Sequence, residues 1–124
     1  MRFVCFGYIN EMDWEKVPKQ EQQKILQDYS NFYQQLKKEH KFLGGTGLKS
    51  AKEAYKLSLN GNTTKETNLK LDVEQLGGFF FLKATNLEEA KTIVAKHPGL
   101  KIGAFEIRGV DEQITKMVGA KQRL

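Results

Sequence analysis

The sequence predicts an α+β fold in which two β-α-β units are joined through an extra hairpin. Three observations predict it. First, Arg2-Phe3-Val4-Cys5-Phe6-Gly7-Tyr8-Ile9 and Leu76-Gly77-Gly78-Phe79-Phe80-Phe81-Leu82-Lys83-Ala84 are short runs that are apolar at consecutive positions. Alternate side chains of a strand point to opposite faces, so both runs are strands that need cover on two sides. Second, each run is followed by a segment with helical spacing of its apolar residues. Third, Asn60-Gly61 separates two short segments of strand character between the units, the mark of a tight hairpin turn.

Taken in order, the first strand runs to about Tyr8, and Asn10 to Trp14 reads as a loop. Pro18 suits the first position of a helix, with Glu21 in the first turn. Ile25, Leu26, Tyr29, Phe32, Tyr33 and Leu36 then form one stripe of a long amphipathic helix. Lys37 and Lys38 lie in its last turn, where the helix dipole favours cations, and Gly44 and Gly45 lie beyond it. Residues 42–51 read as a glycine-rich strand. Tyr55, Leu57 and Leu59 share one face of the next strand, and Thr63 to Thr67 is its return. After a loop over residues 68–78 comes the Phe79 strand. Asn86 is an N-cap with Glu89 placed for a capping box, and Ala90, Ile93, Val94 and His97 follow at helical spacing until Pro98-Gly99 stops the helix. In the last strand Gly103, Phe105 and Ile107 share one face; Ile102, Ala104, Glu106 and Arg108 share the other. The tail after Val110 reads as a short, loosely packed helix.

This order, β-α-β, hairpin, β-α-β, is a ferredoxin-like layout with an insertion. Right-handed crossovers place both helices on one face of the sheet. The opposite face is apolar through the Phe3–Tyr8 and Phe79–Leu82 strands, and a homodimer closing sheet against sheet is its simplest cover.

At 124 residues and 40% hydrophobic the chain makes one domain over residues 1–110, with 111–124 as a tail rather than a second domain. There is no long apolar run and no leader pattern, so the expectation is a cytoplasmic protein with no membrane partner. The single Cys5 sits inside an apolar strand and excludes a disulfide framework. The net charge of +5 is concentrated toward the C-terminus: the last twelve residues hold three basic and no acidic groups. A nucleic-acid footprint calls instead for a basic stripe on the folded domain.

Read together, these residues resemble the YCII-related domain family, in the branch named for its Asp-Gly-Pro-Phe signature, within the dimeric α+β barrel superfamily. The matching pieces are the strand ending near Tyr8, Trp14, Pro18 with its helix, Gly44 to Leu48, Glu74-Gln75-Leu76-Gly77-Gly78-Phe79, Asn86 to Ala90, His97-Pro98-Gly99 and Glu106-Ile107-Arg108. The signature itself falls on Glu66-Thr67-Asn68-Leu69, where only the acidic character is kept. The resemblance implies a ferredoxin-like dimer with a cleft between helix ends and sheet, and it suggests an enzymatic role.

Five residues carry the candidate chemistry. His97, at a helix C-terminus beside a loop, suits general acid/base work because histidine titrates near neutral pH; the same place suits a capping histidine that satisfies the last carbonyls. Glu66 is the carboxylate aligned with the signature. Arg108 and Glu106, projecting from one face of the last strand, are either ligand contacts or a structural ion pair. Tyr8 ends the first strand, where it reaches the cleft or packs in the core. His40 follows a lysine-rich helix end and reads as exposed. No metal constellation, phosphate loop or nucleophile motif appears, and no cofactor is expected. RNA-recognition motifs share the β-α-β-β-α-β order, but Leu76-Gly77-Gly78-Phe79 fails their signature at the first, third and fourth positions, lacking the basic residue, the aromatic and the following Gly/Ala. The reading is an enzyme acting on a small polar or acidic molecule, with His97 as acid/base and Arg108 as anion partner. The alternative is a non-catalytic ligand-binding or regulatory dimer.

Overall fold

The computed structural model describes residues 1–119. Its main sheet contains β1 (Arg2–Ile9), β2 (Phe42–Gly47), β5 (Gln75–Lys83) and β6 (Gly103–Gly109) in the order β2-β5-β1-β6, every neighbour antiparallel. This is the ferredoxin-like order. The two strands apolar on both faces, β1 and β5, take the centre, where neither sheet edge exposes them. Strands β3 (Tyr55–Asn60) and β4 (Thr63–Asn68) form a separate two-stranded sheet, exposed along its whole length.

Helix α2 (Lys19–Lys38) and helix α3 (Leu87–Val94) bury Leu36, Ala90 and Val94 against Phe3, Cys5, Phe80 and Leu82. Both helices therefore roof one face of the sheet. A buried side chain of this size is stabilising by about 1.5–3 kcal/mol, which makes this cluster the main source of stability. The Cys5 thiol, fully buried here, is pushed up to about 12 by burial and acts as a small hydrophobe. Helix α2 ends in a Schellman arrangement: Lys41 N–H donates to the Leu36 carbonyl and His40 N–H to that of Lys37. His40 holds the left-handed position at φ 58°, where glycine is usual.

On the opposite face, rings of Phe6 and Phe79 lie 6.3 Å apart and those of Phe79 and Phe81 6.1 Å, all half-buried. No helix among the described residues is long and apolar enough to cross a membrane.

Several local expectations shift. The expected loop at Asn10 contains helix α1 (Glu11–Glu15), because the Asn10 side chain accepts from the Met12 and Asp13 amides. Pro18 stands at the cap of α2, one residue before its first turn. β2 ends at Gly47, not residue 51, and a 3-10 turn at Ala51–Glu53 follows. The hairpin turn residues are Gly61 and Asn62, with only Gly61 at positive φ; Asn60 stays in the strand, paired with Thr63. Glu89 reaches back to the Thr85 amide, one residue ahead of the Asn86 cap. The tail contributes helix α4 (Glu112–Met117), which is exposed apart from Thr115 and anchored by the Arg2–Glu112 ion pair; residues 120–124 of that tail lie outside the described residues.

Candidate functional site

The alternation that fills one end of the sheet leaves the other end hollow. Following the helix-facing positions, β1 presents Phe3, Cys5 and then Gly7, while β5 presents Leu82, Phe80 and then Gly78. In register, Gly47 of β2 pairs with Gly78, Gly78 with Gly7, and Gly7 with Phe105 of β6. Three glycines thus lie side by side across three strands, spanning about 10 Å at the usual strand spacing. A cavity of about 600 Å³ opens above them. A Cβ added at Gly47 would meet nothing within 4 Å, so its missing side chain is part of the open space.

Helix α2 supplies one wall through Leu26, Tyr29 and Tyr33, and helix α1 another through Glu11 and Trp14. Leu26, expected in the buried stripe, is 55% exposed because it borders this cavity rather than the core. The turn after β2 brings Lys49 and Ser50. Glu11 is held by the Ala51 amide, which donates to its Oε2 at 2.7 Å. Lys49 is exposed and makes no ion pair with another described residue. The lining is mainly aromatic and aliphatic with a few polar groups, the usual make-up of a small-molecule site.

Tyr33 links this cavity to His97, which lies behind the wall. His97 is 2% exposed and ringed by Tyr29, Phe32, Tyr33, Phe80 and Phe105, with centroids 4.3–5.9 Å away. Its Nδ1 accepts the Gly99 N–H at 2.8 Å, and its Nε2 lies 2.8 Å from the Tyr33 hydroxyl. The expectation of a histidine at a helix C-terminus beside a loop does not describe this geometry. Helix α3 stops at Val94, and His97 caps the following 3-10 turn Pro98–Lys101. It therefore satisfies an amide rather than the last carbonyls, and it does so with a lone pair. Burial pushes its pKa down to about 4. Burial also raises the Tyr29 and Tyr33 hydroxyls above their ordinary value, so both are neutral phenols at pH 7.

The other expected site residues are dispersed. Tyr8 lines the cavity, and its hydroxyl donates to Glu106 at 3.0 Å; this bond is the main reason its pKa is raised. Glu106 and Arg108 are both exposed on the face of β6 away from the helices and are not part of the lining. They do not form the expected ion pair, since Glu106 accepts from Tyr8 instead. Glu66 sits on the exposed hairpin opposite Leu57, apart from the cavity lining. No three His, Cys, Asp or Glu side chains gather as a metal site among the described residues. Sequence reasoning missed Tyr33, Lys49, Glu11 and the glycine row. The available signal was Gly7 and Gly78 standing at helix-facing positions of strands otherwise filled by large residues.

No curated protein gives a significant match to the sequence. Among solved structures, the chain is similar to the 5-chloro-2-hydroxyhydroquinone dehydrochlorinase of Burkholderia phenoliruptrix, solved in complex with 2,5-dihydroxybenzoquinone. That similarity has 16% identity and a TM-score of 0.47, over 90% of this chain and 94% of that one. The model of the YCII-related domain matches residues 1–113, nearly the whole chain, which therefore belongs to the YCII-related domain family.

Proposed function

We propose that the chain is an enzyme for a small polar or acidic molecule, bound in the glycine-floored cavity. Tyr33 donates a hydrogen bond to the oxygen on which negative charge develops. A neutral phenol at the wall of a partly desolvated cavity supplies electrostatic stabilisation without reorganising at the moment of reaction. Glu11 is the carboxylate in the same cavity; with Oε2 engaged by the Ala51 amide, Oε1 is the atom that takes the substrate proton. Lys49, rather than Arg108, meets the anionic group at the mouth. The single observation that carries this reading is the 2.8 Å Tyr33–His97 contact at the wall of a 600 Å³ cavity. Its test begins with mass spectrometry of small molecules retained by the purified protein, followed by turnover of those found. Tyr33→Phe should lower kcat by about 10²–10³, alongside a stability loss of about 1–3 kcal/mol because the buried His97 Nε2 loses its partner. Undiminished turnover in that variant would sink the assignment.

A second reading, a non-catalytic binding or regulatory protein, has a specific observation in its favour: the one histidine at the site is held neutral and spent on hydrogen bonds. Binding of the retained molecule without any turnover would select it. Under either reading the chain works as a homodimer closed through the face bearing Phe6, Phe79 and Phe81. Sedimentation of lone chains at micromolar concentration would rule that out.

A further inference from the structure

We infer that His97 is a positioning residue that fixes the polarity of the Tyr33 hydroxyl, making the cavity a reader of hydrogen-bond acceptors. The inference rests on the cavity being the working site. Its ground is the Gly99 amide. An N–H that points at Nδ1 from 2.8 Å requires a lone pair there, so the neutral ring carries its proton on Nε2. That Nε2–H, 2.8 Å from the Tyr33 oxygen, must donate to it. Were Tyr33 the donor instead, both ring nitrogens would be bare, which a neutral imidazole does not allow. The hydroxyl hydrogen of Tyr33 is thereby turned away from His97, and Tyr33 has no other hydrogen-bond partner among the described residues. Tyr33 lines the cavity and His97 does not, so a ligand there is the acceptor to which the hydroxyl hydrogen turns.

The amide is itself held in place. Gly99 is buried, and a Cβ there would lie 2.6 Å from the Tyr29 hydroxyl and 3.0 Å from Nδ1. Proline at position 98 pre-sets the turn that aims the Gly99 N–H back at the ring. Sequence order thus becomes a chain of donors, Gly99 to His97 to Tyr33 to ligand. The ligand class that fits is one presenting a carbonyl, carboxylate or phenolate oxygen.

Two measurements test this. Nitrogen-15 NMR of the His97 ring at pH 7 should show Nε2 protonated and Nδ1 bare; an Nδ1–H tautomer or an imidazolium would overturn the inference without any ligand. For binding, the probe is 4-nitrophenolate, an anionic oxygen on a flat apolar body whose absorption reports its hydrogen bonding. His97→Leu should weaken it by about fivefold, the value of one ordinary hydrogen bond. His97→Gln, whose amide can accept from Gly99 and donate to Tyr33, should stay within about twofold of the parent. Equal affinities in the parent, His97→Gln and His97→Leu proteins would overturn the positioning role. The expected tautomer together with no probe binding would leave His97's role standing and bring down the reading of the cavity as the working site.

Discussion

Under helix α2 the sheet presents two unlike halves. At one end Phe3, Leu82, Cys5 and Phe80 meet Leu36, Ala90 and Val94 in a close-packed core; at the other, a cavity borders Gly7, Gly78 and Gly47, open at Gly47, with the Phe105 ring against Gly7 and the Thr46 carbonyl against Gly78. The same strands make both halves under the same helix, with β2 shifting register by one residue between Phe42 and Gly45. The two halves differ in side-chain volume. Core atoms in contact contribute transfer and dispersion energy, while the glycine end gives that up and gains room for another molecule. The two halves therefore divide stability from binding, and His97 stands on the border against both Phe80 and Tyr33.

The division can be broken most severely from the packed side. Phe80→Ala should cost about 3–5 kcal/mol in denaturant unfolding, because Phe80 is 2% exposed and stacks against Phe42 while meeting Tyr33 and Phe105 edge-on. A loss below about 1 kcal/mol would mean that half is not close-packed.

The border responds to pH. His97 titrates at about 4 in the folded chain against an ordinary 6.5, so between those values the unfolded chain binds a proton that the folded chain does not. Its contribution is whole above pH 6.5 and is lost as the pH falls toward 4, a decline of about 3 kcal/mol. Unfolding free energies of the parent and His97→Gln, compared from pH 7 to 4, should converge on acidification. Parallel curves would contradict the buried neutral ring.

Gly99→Ala tests the same border sterically. The new methyl would press on the Tyr29 hydroxyl and on Nδ1, at an expected cost of about 1–3 kcal/mol with loss of the His97 tautomer signature. Smallest in stability and sharpest in function is Gly47→Val. With open space at that position the unfolding free energy should move by no more than about 0.5 kcal/mol. Binding of the retained small molecule should nevertheless fall at least about tenfold, since a side chain there fills the hollow. If Gly47→Val unfolds the protein, the two halves are not separable.

Much of this architecture was legible in the residues. The apolar runs of β1 and β5, the stripe of α2, the Asn86 cap and the alternation of β6 are local patterns whose physics is complete within a few residues. The order of elements and the single roofed face followed from them. The loop that became α1 was not legible, because a five-residue helix rests on one Asn10 cap and has no periodicity of its own.

By itself, then, the sequence determined which residues share a face of each strand and helix, and the family to which the chain belongs. Tertiary structure alone decided which rows of those faces line up. Register brought Gly47, Gly78 and Gly7 together from positions far apart in the chain, and the turn at Pro98 drew a histidine into the core with its lone pair committed to an amide. Alternation is set by backbone geometry at each residue, but a cavity and a tautomer are set by neighbours in space. For that reason Tyr33 reads as one more aromatic in a helical stripe until His97 is found against it.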